Sequence, residues 1–287
     1  MDKDILSLIE ASKSGFSKGQ LRIASFIEQN FDKAAFMTAS KLGETTGVSE
    51  STVVRFASEL GFEGYPEMRL ALQEMIRNRL TSVQRMEVAK NVMGSRDVLT
   101  ATFQADMEKI RLTLESVDKE SFAAAVSKIV GAKHIYILGT RTSAALSMFM
   151  GYYFNLMFEN VRVLYESSNS EIFEQILRIS SDDVLIGISF PRYSRRTIRA
   201  VRYAKSSGAT VVGITDAATS PLAKLADISL LAKSDMVSFV DSLVAPLSLI
   251  NALVAAVGDE AHDQLFNTFG NLERVWEEYE VYEKIEE

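Results

Sequence analysis

From Lys133 onward the chain sets out five short apolar runs, HIYILG, VRVLYE, DVLIGIS, TVVGIT and ISLLAK, each bounded by polar residues or Gly. Continuous apolar character over so few residues marks strands buried on both faces. The helix-length stretches between them bring the chain back so that successive strands run in one direction. A parallel sheet covered by helices on both faces follows. The covering helices are expected at Ser143 to Phe158, Ser170 to Ile179, Ser194 to Ser207 and Ser242 to Val257, with a short turn near Leu222.

The first 80 or so residues have no comparable β-branched run and are rich in helix formers, so they read as several short helices. After Pro66 the helical pattern continues through MRLALQEMIRNRLTSVQRMEVAKNV, with a joint expected near Val92 to Arg96. Val98 to Val117 then spaces Leu99, Phe103, Met107, Ile110 and Leu114 by threes and fours, an amphipathic helix. The organisation is therefore a helical domain over 1–80, a helical linker over 81–117, an α/β domain over 118–257 and an acidic helical tail over 258–287. In the tail, Trp276, Tyr279 and Tyr282 or Glu283 line one side.

Composition removes whole classes of chemistry. There is no Cys, and the two His stand 128 positions apart, so neither thiolate chemistry nor a metal-ligand spacing is available and no cofactor is expected. No apolar run approaches the ~18–20 residues of a bilayer span, and a cytoplasmic protein without membrane partners is expected. The net charge of −7 argues against nucleic acid only until it is divided by region. Residues 1–85 carry 11 basic and 11 acidic side chains, residues 86–255 carry 18 and 17, and residues 256–287 carry 2 and 10. Acidity is a property of the tail.

The stretch MTASKLGETTGVSESTVVRFASELGF has the grammar of a helix-turn-helix. Ala39, Leu42 and Gly43 form the inner side of a first helix, Gly47 makes the turn, and Val48 plugs the gap between helices. Ser49 caps a second helix, with Thr52 in place of the acidic partner of a capping box. Val53, Phe56 and Leu60 face inward. Glu50, Ser51, Thr52 and Arg55 then point outward at the helix N-terminus, where a recognition helix meets the major groove. Arg55 can bond a guanine edge or a phosphate, and Ser51 and Thr52, with Ser49 beside them, can donate to phosphate or reach a base edge. Glu50 and Glu59 oppose Arg55, and Arg69, Arg77, Arg79, Arg85 and Lys90 offer partial compensation.

The run KGQLRIASFIEQNFDKAAFMTASKLGETTGVSESTVVRFASELGFEGYPEMR, with V-S-x-S-T-V-V-R-F-x-x-x-L-G-F at Val48 to Phe62, resembles the N-terminal domain of RpiR-type bacterial transcriptional regulators. The resemblance covers about residues 1–80. It implies binding to double-stranded operator DNA, with Thr52 and Arg55 among the contacting residues, and assembly as a homo-dimer or tetramer.

In an open parallel sheet of flavodoxin-like order 2-1-3-4-5, ligands settle at the carboxyl ends of strands one and three. Strand one runs into Gly139-Thr140-Arg141-Thr142-Ser143, and strand three into Ser189-Phe190-Pro191-Arg192-Tyr193-Ser194-Arg195-Arg196-Thr197. Both loops are dense in hydroxyls and both open a helix, which suits an anion such as phosphate. Ser143 and Ser194 read equally as ordinary helix caps.

Residues of about 120 to 257 resemble a sugar isomerase (SIS) domain, carried by G-T-R-T-S in the first loop and G-I-S-F-P-R-Y-S in the second. The resemblance implies that Ser143, Ser189 and Ser194 hold a sugar phosphate, with Thr140 and Thr142 nearby. Many SIS domains have S-x-S-G-x-T in the second loop. Here Pro191 and Arg192 replace the central Ser and Gly, and Arg192 adds a cation able to grip a carboxylate or phosphate. An effector more anionic than a plain hexose phosphate is compatible with this change.

Phosphosugar isomerisation needs a general base. Glu171, Glu174 and His262 are the candidates near a crevice, whereas His134 precedes strand one and reads as structural. Asp241 opens the last long helix, where it reads as a cap before a second reading, a reach to a sugar hydroxyl. Together the two resemblances imply a non-catalytic, phosphosugar-responsive transcription factor of carbohydrate metabolism. The rival readings are a phosphosugar isomerase and a non-catalytic SIS protein that regulates an enzyme.

Overall fold

The five apolar runs become five parallel strands in the order β2-β1-β3-β4-β5: β1 (Ile135–Gly139), β2 (Val161–Leu164), β3 (Val184–Ile188), β4 (Thr210–Thr215) and β5 (Ile228–Leu231). The computed structural model describes residues 5–79, 83, 86, 97–165, 171–234 and 240–283. The joint expected near Val92 to Arg96 lies outside the described residues, as do Arg85 and Lys90. The chain divides into two compact units, Met1–Thr102 with Met236–Asp241, and Phe103–Asp235 with Ser242–Glu287.

In the first unit, α1 (Ile5–Ser12), α2 (Lys18–Gln29), α3 (Phe31–Ala34), α4 (Ala39–Thr46), α5 (Glu50–Glu59) and α6 (Tyr65–Arg79) enclose one core. Ile5, Ile9, Ile23, Ile27, Leu42, Val53, Phe56 and Leu72 are fully buried there, and the Phe16 and Phe56 rings meet at 5.2 Å. Each helix that matters to the surface begins on a polar cap. Ser17 and Gln20 form a reciprocal capping box on α2, Thr38 caps α4, and Ser49 accepts from Thr52 N–H at the start of α5. Gly47 ends α4 with φ +67°, a left-handed turn that a side chain would strain. Arg69, expected as a surface charge, is half-buried with its Nε enclosed. It lies beside Tyr65, whose hydroxyl burial pushes up to about 12 against the opposing pull of Arg69.

In the second unit every residue of β1 and β3 is buried, so both sheet faces need cover. Ile135 and Ile137 point to one face, against α8 (Lys119–Val130), α9 (Ser143–Met157) and α12 (Val244–Glu260). Tyr136 and Leu138 point to the other, with Ala200, Val201 and Ala204 of α11 (Arg195–Ser206) and Ile172 of α10 (Glu171–Gln175). This is the period-two alternation of a strand between two layers. Among the described residues no single helix is long and apolar enough to cross a membrane.

Three elements depart from expectation. The helix after β2 stops at Gln175 and turns follow, because Ile176 and Ile179 are buried from irregular backbone. The last long helix starts at Val244 with Leu243 at its N-cap and no side-chain cap, so Asp241 is not the cap; Ser242 Oγ accepts from Val244 N–H at 3.3 Å. The terminal helix α13 (His262–Glu278) ends before Tyr282, Glu280 turning left-handed at φ +48°. Tyr282 then meets Trp276 edge-on at 5.3 Å, so the three aromatics do not share one helical face.

The helix α7 (Val98–Ser116) is turned against its own amphipathic pattern. Lys109 and Thr113 are the buried residues; Thr113 Oγ1 accepts from Lys233 N–H at 2.9 Å, and Ser242 Oγ donates to Asp106 at 2.6 Å. Lys109 Nζ stands 3.5 Å from Asp106, without a hydrogen bond among the described residues. Leu99, Phe103, Met107 and Leu114 are between 61% and 71% exposed.

The amino end of the sheet is pinned by Asp183. Its carboxylate accepts from His134 Nδ1 at 2.7 Å and from the N–H and hydroxyl of Ser180 at 2.8 and 3.0 Å. Burial pushes the carboxyl up, but the hydrogen bonds from His134 and Ser180 outweigh it and hold the group below its ordinary value. A depressed carboxyl contributes stability above its unfolded value, and that stability is lost as pH falls through the lower folded one. Asp183→Ala should therefore reduce the unfolding free energy in urea by about 2–3 kcal/mol at neutral pH. The gap from wild type should close below pH ~3.9, the ordinary carboxyl value; an equal gap in strong acid would contradict this account.

Candidate functional site

Pairing of Gly139 with Ile188 in the β1–β3 register sends Thr140 and Ser189 out of the sheet side by side. The two loops are tied directly: Thr140 Oγ1 and Thr197 Oγ1 lie 3.1 Å apart in a buried contact. Gly139 permits the tight start of α9, since a Cβ there would lie 2.7 Å from Ser147 Oγ and closer still to the Ser143 carbonyl. That packing sets Ser143 at the floor of the first loop. Ser143 and Ser189 are 5% and 3% exposed, and among the described residues neither hydroxyl has a hydrogen-bond partner. Neither Oγ is among the fully buried unpaired side-chain atoms of the described residues, so both hydroxyls keep access to the crevice.

Other residues of the two loops divide by role. The N–H groups of Ser143, Ala144 and Ala145 bond to the carbonyls of Thr140, Arg141 and Thr142, so hydroxyls rather than these amides are open on the first loop. Thr142 is exposed at the N-cap position and makes no cap bond. Arg141 holds a left-handed backbone, φ 57°, which costs a non-Gly residue roughly 1–2 kcal/mol. Ser194 accepts from Thr197 N–H and caps α11, the plainer of its two readings. Arg192 is exposed, with Pro191 buried beneath it.

Sequence reasoning passed over three residues. Thr197 completes the hydroxyl tie, while Tyr193 donates to Asp216 Oδ1 at 2.8 Å and so anchors the second loop to the end of β4. Thr197 carried a signal, a hydroxyl in the first turn of the helix that Ser194 opens. Asp216 carried none, because only the fold brings it to Tyr193.

The general-base candidates separate. His262 does not reach this crevice. It lines an open cleft of about 800 Å³ with Lys133, Ile135 and Asn160, at the amino end of the sheet, because α13 departs at 95° from α12 there. His134 is at that same end, bonded to Asp183. Glu171 and Glu174 lie on α10 after β2, Glu174 exposed.

The helix-turn-helix residues form a second surface, in the first unit. Ser49 Oγ lies 2.9 Å from Ser51 Oγ and 2.8 Å from Thr52 Oγ1, a cluster of three hydroxyls at the start of α5. Arg55, one turn on, is exposed and donates from Nε to Ser51 O at 3.3 Å. Glu59 accepts from Gln20 Nε2 and keeps its negative charge beside Arg55; Glu50 remains exposed in the first turn.

Residues 3–79 match the helix-turn-helix domain of the rpiR family, and residues 128–256 match the SIS domain. An uncharacterised HTH-type transcriptional regulator of Caldanaerobacter subterraneus subsp. tengcongensis is 22% identical over 95% of this chain and 96% of its own. The sugar isomerase domain of an RpiR transcription factor from Sphaerobacter thermophilus is 28% identical, with TM-score 0.59 over 62% of this chain and 98% of that one. The Vibrio vulnificus NanR protein, solved in complex with ManNAc-6P, shares the fold at 22% identity and TM-score 0.58 over 95% of this chain and 99% of that one. The chain belongs to the rpiR family, its helix-turn-helix domain leading and its SIS domain following.

Proposed function

We propose that the chain is a DNA-binding transcriptional regulator of carbohydrate metabolism whose hold on operator DNA changes when a phosphosugar enters the crevice between β1 and β3. The observation that carries this reading is that the neighbouring loops joined by Thr140 and Thr197 hold two little-exposed serines, Ser143 and Ser189, whose hydroxyls have no partner among the described residues. Hydroxyl donors on two adjoining strand-to-helix loops suit a phosphate, with Arg192 and Thr142 at the exposed rim. The ManNAc-6P complex of NanR supports the same ligand class. Both histidines lie at the opposite end of the sheet, which favours binding over isomerisation.

The helical unit supplies Ser49, Ser51, Thr52 and Arg55 to duplex DNA. A homo-dimer or tetramer presents two such helices to paired half-sites. Phe103, Met107, Ile110 and Leu114 follow the four-three-four spacing of a helix-pairing seam. The exposure of Phe103, Met107 and Leu114 on α7, with Ile110 half-buried between them and the polar face held against its own body, favours a second copy of the same helix as their partner. An effector can shift operator affinity only by binding two subunit arrangements unequally.

Arg55→Ala should weaken binding to DNA from upstream of the protein's own gene by ~1–3 kcal/mol, measured by fluorescence anisotropy. Ser143→Ala combined with Ser189→Ala should keep DNA affinity and abolish its response to a phosphosugar panel. It should also abolish the rise in melting temperature that such ligands give the wild type. A melting point unmoved by every phosphosugar would end the sensing reading, and turnover of one would favour the isomerase. Phe103→Glu with Met107→Glu should lower the mass measured by light scattering; an unchanged mass would remove α7 from the interface.

A further inference from the structure

We infer that Arg22, on α2 and outside the helix-turn-helix pair, is a second DNA-phosphate contact that shares one cleft with Arg55. This rests on the DNA-binding reading above and adds to it a residue that the recognition-helix pattern does not include. The cleft has a volume of about 570 Å³ and is lined by Gly19, Arg22, Gly47, Ser49, Thr52 and Arg55, among others.

Two helices begin at this cleft. A Cβ on Gly19 would lie 3.4 Å from Val48 Cγ1 and 3.5 Å from Thr52 Cγ2, so the first turn of α2 abuts the first turn of α5. Both turns are serine-capped, and their positive ends converge on the same space. Arg22 Nη1 stands 3.2 Å from where a Cβ on Gly47 would be, which lays the guanidinium across the turn between α4 and α5. Gly47 therefore serves twice, by accepting a left-handed backbone and by leaving room for Arg22.

The side chain is also free to act. Lys13 is bonded to Glu10 and Glu28, and Lys41 to Glu44, so these cations are neutralised on their own surface. Arg22 is exposed and makes no hydrogen bond or ion pair among the described residues. Arg55 spends only Nε on Ser51. The acid in the cleft, Glu59, accepts from Gln20. Two guanidinium forks with open nitrogens, flanked by the hydroxyls of Ser49 and Thr52, match the oxygens of a backbone phosphate.

A phosphate contact is independent of sequence, so any duplex tests it. Binding of the full-length chain to a random-sequence duplex is measured by anisotropy across a salt series. Each phosphate contact contributes about 0.9 to the slope of log K against log salt. Arg22→Ala and Arg22→Gln should make the slope shallower by about that amount per subunit and weaken binding several-fold at low salt. Arg22→Lys should restore the slope, Lys13→Ala should leave it unchanged, and melting temperatures should match wild type throughout. An unaltered slope in Arg22→Ala and Arg22→Gln, with Arg55→Ala still reducing it, would overturn the role of Arg22 and leave the DNA-binding reading standing. Failure of the wild type to bind duplex even at low salt would remove both.

Discussion

The parallel pairing of β1 with β3 is the constraint on which the second unit turns. Their register, Ile135 to Gly139 against Val184 to Ile188, brings two hydroxyl-rich loops off the sheet as neighbours. A slip of one residue would send Thr140 and Ser189 to opposite faces, since side chains alternate along a strand. The buried contact between Thr140 and Thr197 and the bond from Tyr193 to Asp216 then hold the second loop to both neighbouring strands. Ser143 and Ser189 are left with hydroxyls that no other described residue engages.

The polarity of the two ends of the sheet follows from the same arrangement. Parallel strands put every strand-to-helix loop at one end and every helix-to-strand loop at the other. The carboxyl end collects Thr140, Ser143, Ser189 and Thr197, free or lightly bonded. At the amino end Asp183, His134 and Ser180 are bonded to one another, which is the pattern of a structural clamp. Division of labour between ends explains why both histidines stand away from the hydroxyl loops.

α7 shows how tertiary contacts override an amphipathic pattern. Hydrophobic spacing alone would turn Phe103, Met107 and Leu114 toward the body. Instead Thr113 satisfies the N–H of Lys233, Asp106 takes the hydroxyl of Ser242, and the helix is rotated so that Lys109 is buried. An unsatisfied backbone N–H is expensive, so the bonds to Lys233 and Ser242 fix the rotation, even though it encloses the Lys109 ammonium 3.5 Å from Asp106, and the apolar stripe is left outside.

Much of this was legible in the sequence alone. Strand identity and parallel direction follow from five short apolar runs, although only the central β1 and β3 are buried throughout and the edge strand β2 exposes Arg162. Gly47 and the caps Ser49 and Ser194 were equally local matters, since a left-handed turn or an orphan N–H is answered within three residues. Contacts between distant residues were not legible. Tyr193 meets Asp216, and Arg22 crosses to Gly47, only because separate helices and strands are packed together. The rotation of α7 and the bend that carries His262 away from the hydroxyl loops also came from packing, where satisfying buried polar groups outweighs the helical period that a sequence displays.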